Sequence, residues 1–416
     1  MGKRFDYEYI VIGAGAAGIT AAKQLAEAGR KVALIEQDKW GGRHWRDLKE
    51  NKAIPTQKDL EELGVTYIHG HAEFVGNYDI SVTGREDPIS AAKFLITTGT
   101  EPAKKKIAGI GNVKYYTSDS IKDIQHPPKT ALVIGGGASG CEAAEYLAKL
   151  GTRVVIVECS ARLLPKEDEE VGLIMQQYFE KRLGIKTFTN TRAVALEKDK
   201  LSSRVVFMRN GEERTVRVEN IILAAGRQPS LGVGLKNGGV SYDKKGIVVD
   251  KTLQTSARNV FAAGDILGGD SSPERAVYTA EIAVMNMLER TKTYVNYDGF
   301  IRVTDTDPQV ASVGLSEDDL AKQAKKYKKA AVPLSAVIAS VKHRKRIGFL
   351  KIMTDSQGKV LGATMVGPNA VDVLQELALA IRHQIPLIQV ASTPHSASAW
   401  TNLVKIAARK LLTSKR

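Results

Sequence analysis

At 416 residues and 43% hydrophobic, the chain is too long for one ordinary core and too apolar for a disordered protein, so two or three packed domains are expected. Two cysteines exclude a disulfide framework, and no apolar run reaches the roughly 18 residues of a spanning helix. The net charge of +14 suits an anionic partner, but the basic runs lack interleaved aromatics or any nucleic-acid motif, so they read as solvated surface with no nucleic-acid partner.

Met1-Gly-Lys-Arg4 leads to Asp6 and a strand, not to a signal-peptide core, which makes a cytoplasmic location the expectation. The first strand, Tyr9–Ile12, enters Gly13-Ala-Gly-Ala-Ala-Gly18. A helix over Ala17–Ala28 follows, then Gly29, then a strand over Lys31–Glu36. The pattern recurs: strand Ala131–Ile134, Gly135-Gly-Gly-Ala-Ser-Gly140, helix Ser139–Leu150, Gly151, strand Arg153–Glu158. Each copy reaches a carboxylate at equal spacing, Glu36 at 36 − 13 = 23 and Glu158 at 158 − 135 = 23 residues. Apolar strands ending in glycine, Phe94–Gly99 and Ile221–Gly226, complete two doubly wound units. Asn259–Asp265 is a further strand ending in Gly-Asp, and a helix spans Glu274–Leu288. From Tyr294 the texture changes to short strands, Gly348–Met353 and Val360–Val366, and a helix over Ala370–His383: a third, α+β domain. The stretch from Trp400 to Arg416 reads as a basic amphipathic helix packed on its own domain, with a peripheral membrane contact as the lesser alternative. Cys141 and Cys159 read as small buried thiols.

Each glycine turn lets backbone N–H groups approach a pyrophosphate at a positive helix terminus. The carboxylate beyond it can accept hydrogen bonds from a ribose diol. Two such sites in one chain suggest electron transfer between two dinucleotides. At the second site, Glu158 would repel a 2′-phosphate, which favours NADH over NADPH, although Arg153 and Arg162 lie nearby.

On these motifs the chain resembles the class I pyridine nucleotide–disulfide oxidoreductases, a family that includes dihydrolipoamide dehydrogenase, glutathione reductase and mercuric reductase. The likeness covers nearly the whole chain. It rests on the two glycine motifs, Gly41-Gly42, Gly70-His-Ala72, Thr97-Thr-Gly99, Gly226-Arg-Gln-Pro229, Ala263-Gly-Asp265, Asp307–Gly314, Gly362–Pro368 and Pro394-His395. It implies an FAD-binding domain (1–115 with 252–292), an NAD(P)-binding domain (116–251) and a C-terminal α+β domain (293–416) that makes a homodimer. FAD would lie on Gly13, Gly15, Ala16, Ala17, Gly18, Glu36, Gly42, Ala72, Thr98, Gly99, Gly264 and Asp265. The nicotinamide cofactor would lie on Gly135, Gly137, Ala138, Ser139, Gly140, Glu158 and Gly226. Glu142 and His395 take the family's catalytic positions, and no metal is implied.

The departures matter as much. Where the family carries Cys-x4-Cys after the glycine pair, this chain has His44 and Ala53. Neither can act as the thiolate of dithiol chemistry. The family's lysine partner of Glu142 is Gln57, and the acid of its His-x4-Glu pair is Trp400. A helical excursion of the family is cut to Lys58–Gly64, which should widen access to the flavin, and Ala138 should ease nicotinamide entry. The leading expectation is an FAD-dependent NAD(P)H oxidoreductase that passes electrons directly to a small external acceptor such as a quinone. A transhydrogenase and a non-catalytic flavoprotein sensor or scaffold are the alternatives.

Overall fold

The apolar runs that flank each glycine turn become central parallel strands, because a strand covered on both faces is hydrophobic throughout rather than alternating. The computed structural model describes residues 4–42, 54–103, 105–199, 202–288 and 292–413. These fall into two units: Met1–Ala103 with Arg227–Asn296, and Lys104–Gly226 with Tyr297–Arg416. Residues 227–251 and 293–296 thus group with the first unit and 104–115 with the second.

In the first unit the parallel strands run in the order Thr66–His69, Val32–Glu36, Tyr7–Ile12, Ile89–Ile96, with Val260–Ala262 added beside the last. The antiparallel strands Asp79–Val82 and Ala72–Phe74 extend the same sheet. The Ala16–Glu27 helix packs against the Pro273–Met287 helix. Ala17, Ala21 and Ala22 meet Ala276, Ala280 and Ala283 in one buried cluster, and side chains this small let two helices approach closely.

The second unit repeats the parallel order with Lys186–Phe188, Arg153–Val157, Thr130–Ile134, Asn220–Leu223 and Tyr116–Thr117. An antiparallel meander, Thr191–Lys198, Ser203–Arg209 and Glu212–Val218, is inserted before its last central strand. The C-terminal region is a five-stranded antiparallel sheet in the order Ile301–Thr304, Gln309–Gly314, Val360–Gly367, Phe349–Thr354, Lys328–Pro333. The Ala370–Arg382 helix buries Val373, Leu374, Leu377 and Ala378 on it, as the periodicity requires. The Asn402–Thr413 helix buries Leu403, Val404, Ala407, Ala408 and Leu411 in the same core, so its apolar face is used within its own domain. Among the described residues, no helix is long and apolar enough to cross a membrane.

A charged strap joins the nucleotide module of the second unit to its C-terminal sheet. Lys351 has an entirely buried side chain in the otherwise apolar Phe349–Thr354 strand. Its Nζ donates to Asp168 at 2.8 Å, to Glu170 at 2.9 Å and to Glu317. Glu317 also takes Lys329 and Tyr327, each at 2.6 Å, and Asp168 takes the Glu317 N–H at 2.8 Å. Burial opposes the Glu317 charge, but Lys329, Lys351 and Tyr327 outweigh it and hold the carboxyl down at about 2. A buried charge of this kind is tolerated only because every partner is present, and removing one leaves the others desolvated and unpaired.

Candidate functional site

The first glycine turn is shaped by what a side chain would hit. Gly13 has φ +106°, and a Cβ there would lie 2.6 Å from the Thr97 carbonyl oxygen. A Cβ at Gly18 would run into the Gly13 carbonyl, while Gly15 faces open space. The Ala16–Glu27 helix begins at Gly15 with no side chain capping it, so its first N–H groups are left for an anion. Glu36 is aimed back at this turn: its Oε2 accepts the Ala14 N–H at 2.6 Å and its Oε1 the Asp38 N–H at 2.8 Å. Gly41 donates to the Ala14 carbonyl at 3.0 Å, and a Cβ on Gly42 would lie 3.0 Å from the Gly15 Cα. Gly264, at φ +82°, packs against Ala17, and the Gly264 N–H donates to Thr279 Oγ1 at 2.9 Å; the next residue, Asp265, is buried. Thr98 donates to the Ser230 carbonyl, and Gly99 follows at φ +65°. Ala72 is buried at the start of the antiparallel extension of that sheet.

The second turn repeats this geometry. A Cβ on Gly135 would run into the Ala224 carbonyl and one on Gly140 into the Gly135 carbonyl, whereas Gly137 again faces open space at an uncapped helix start. Ala138, Ser139 and Gly140 form the first turn of that helix. Gly226 follows at φ +101°. Glu158 accepts from the Gly136 N–H at 2.5 Å and the Ser160 N–H at 2.6 Å. Burial works against the Glu158 charge, yet these backbone donors win and hold its carboxyl below the usual range. Both turns therefore have what a dinucleotide needs: an open glycine face, free helix-end donors and a carboxylate side chain aimed at the turn. One terminal nitrogen of the Arg162 guanidinium is bound to Asp318 at 2.6 Å and to the Glu167 carbonyl at 3.2 Å, while its buried Nε has no hydrogen-bond partner.

Glu142 is not an orphan once folded. Its Oε1 accepts the Asp305 N–H of the C-terminal region at 2.9 Å. Gln57 instead donates to Glu61 within its own short helix. His395 also has an acid, and not from the C-terminal segment: its Nε2 lies 3.0 Å from Glu376 Oε2, on the Ala370–Arg382 helix. Its Nδ1 lies 2.7 Å from the Thr393 carbonyl. Burial pushes the Glu376 carboxyl up, against the pull of His395. The expectation of two buried thiols is corrected: Cys141 is buried against the Gly136 carbonyl and burial pushes its thiol up, but Cys159 is exposed beside Glu158. His44 and Ala53 lie outside the described residues.

Glu376, Asp318 and Lys351 escape sequence reasoning because their partners are remote in the chain. Lys351 alone left a trace, as a cation inside the apolar run Phe349-Leu-Lys-Ile-Met353.

Two Rossmann-like turns with paired acids, joined to an α+β sheet domain, define a two-dinucleotide oxidoreductase. The chain belongs to the pyridine nucleotide-disulphide oxidoreductase family, whose model matches residues 7–285, with the family's dimerisation domain at 285–406. Members are FAD-dependent enzymes that use NAD(P)H. A mercuric reductase of Staphylococcus aureus is 28% identical over 91% of this chain and 77% of its own length. A dihydrolipoyl dehydrogenase of Thermus scotoductus is 28% identical over 94% of each. The HOCl-induced flavoprotein disulfide reductase RclA of Escherichia coli, solved as a Cu(II) complex, shares the fold with a TM-score of 0.86 at 22% identity, over 99% of this chain and 100% of its own.

Proposed function

We propose that this enzyme uses NADH to reduce FAD and delivers the electrons directly to a quinone-like acceptor, without a dithiol relay. One observation carries the reading: both cysteines, Cys141 and Cys159, belong to the nicotinamide unit, and no cysteine occurs anywhere in the FAD-binding unit. A relay needs a thiolate beside the flavin, and neither His nor Ala can form a disulfide.

Gly15 and the helix start behind it would hold the FAD pyrophosphate, Glu36 its ribose and Asp265 its ribityl chain. Gly137 and Glu158 would hold the nicotinamide cofactor in the same way. Glu158, ionised by two backbone donors, repels a 2′-phosphate, which supports NADH over NADPH. When bound, FAD supplies two-electron chemistry between NADH and the acceptor. The short Gln57–Glu62 helix, in place of a longer excursion, supports an acceptor of some bulk. The C-terminal domain would pair two copies into a homodimer. Anaerobic titration of the purified yellow protein tests the reading: NADH should bleach it more readily than NADPH, and quinones should restore the colour while disulfides should not. Restoration by disulfides alone, or no bleaching by either nicotinamide, would overturn it.

A further inference from the structure

The link between the Lys328–Pro333 and Phe349–Thr354 strands is pinned by Leu334, Val337 and Ala339, all buried in the C-terminal core. The short Ile338–Lys342 helix within it buries Ala339 and Ser340 but turns its other face outward. Ile338 and Val341 are three residues apart, hence neighbours on that face. They are 59% and 62% exposed, the highest values of any large apolar side chain among the described residues. Ile347 follows at 39%. Exposed aliphatic side chains scattered singly are ordinary, but a group on one pinned tip marks a surface that meets something.

The same tip is cationic. The Arg344 N–H donates to the Val341 carbonyl at 3.2 Å and the Lys345 N–H to the Ser340 carbonyl at 3.1 Å, the pair of bonds that closes a helix on a left-handed residue. That residue is Arg344, at φ +53°, where glycine would sit without strain. A cation is thus held at a position that backbone energetics alone would give to glycine. Lys342, Arg344 and Arg346 are exposed, and among the described residues no ion pair joins them to a carboxylate. Lys345 is paired with Asp307 at 2.9 Å, and Asp372, which lines a cleft with His343 and Lys345, is bonded to Asn369. No Asp or Glu occurs between Asp319 and Asp355, so no acid of the link itself offsets these charges.

We infer that the tip formed by residues 338–347 docks on an anionic lipid bilayer, with Ile338 and Val341 entering the headgroup boundary and Lys342, Arg344 and Arg346 meeting lipid phosphates. Charge complementarity selects an anionic partner, and the aliphatic side chains select among anionic partners. A nucleic acid would use the cations but leave the aliphatic face unused, and the tip offers no Phe, Tyr or Trp for a base to stack on. A neutral apolar partner would strip water from the cations and give them nothing in return. An anionic bilayer meets both needs at once, and stable attachment takes two such signals together. The inference does not depend on which acceptor the flavin reduces.

Co-sedimentation of the purified full-length protein with vesicles tests this. Equimolar phosphatidylglycerol and phosphatidylcholine should carry the protein down, phosphatidylcholine alone should not, and raising salt from about 0.1 M to about 0.5 M should release it. Lys342→Gln with Arg346→Gln should weaken binding about 30-fold, roughly fivefold per cation. Lys325→Gln with Lys326→Gln removes the same charge from another exposed stretch and should change binding less than about threefold. Ile338→Ser with Val341→Ser keeps the charge and should still weaken binding at least about tenfold. Arg344→Gly should weaken binding about fivefold while raising Tm, a combination that a merely structural role would not give. Because these side chains are exposed, the variants should keep the melting behaviour of the parent or improve on it. Equal sedimentation with both vesicle types, equal losses in the two lysine and arginine pairs, or full binding after Ile338→Ser with Val341→Ser overturns the inference. If that last pair instead dissociates an oligomer on gel filtration without lipid, the tip is a contact between copies of this chain and the inference falls as well.

Discussion

Gly13, Gly15 and Gly18 precede Gly135, Gly137 and Gly140 by the same interval, 135 − 13 = 122 residues, and the hydrogen bonds repeat at that interval. Ala14 bonds Glu36 as Gly136 bonds Glu158, and Asp38 bonds Glu36 as Ser160 bonds Glu158. Beyond the acid the copies part. The first leads to Gly41 and Gly42, which fold back over the turn. The second leads to Arg162, Glu167, Asp168 and Glu170, all of which bond into the C-terminal region. The turn is thus a self-contained device, whereas the segment downstream of each acid is specific to the job of its own unit.

The largest effects should separate the glycines within each turn. Gly18→Ala and Gly140→Ala place a methyl against a backbone carbonyl and should cost about 3 kcal/mol or more, read as a fall in Tm. Gly15→Ala and Gly137→Ala meet open space and should leave Tm nearly unchanged, but lose FAD retention and raise the KM for NADH respectively. An equal loss of Tm in all four would break the view that one glycine packs and the other binds.

Next in size is the strap that follows the acid of the second copy. Lys351→Met should destabilise the second unit by about 3–5 kcal/mol, because it strands buried carboxylates, and denaturant unfolding followed unit by unit would show it. A loss shared equally by the first unit would contradict the assignment of the strap.

The smallest effect is titration of the same strap. The Glu317 carboxyl is depressed from 4.5 to about 2, so its contribution is complete above pH 4.5 and is lost as pH falls toward 2. Glu317→Gln should flatten the stability of the second unit across that window, and an unaltered pH dependence would count against the network.

The turns and their acids were legible because their requirements are local: a positive φ, a close approach, an uncapped helix start. The C-terminal helix faces were legible from period alone. The Thr191–Val218 meander carries no motif, and its alternation gains meaning only from the strands beside it. The pairing of His395 was misjudged for a related reason. Its acid stands 19 residues away on a different element, brought close by the segment after Arg382, which includes the short Leu387–Ser392 helix, rather than by any spacing within the C-terminal motif. Arg162 could be seen from the sequence, but not that Asp318 holds it.

The bonds from Glu142, Glu145 and Asp168 into residues 305–317 have a consequence for the modular history of such a chain. A recombination or a cut between the second nucleotide module and the C-terminal domain would separate acids from the backbone amides and the lysine that compensate them. The seam visible in the sequence is thus not a line of easy fracture, and the two modules are expected to be inherited, exchanged and expressed together.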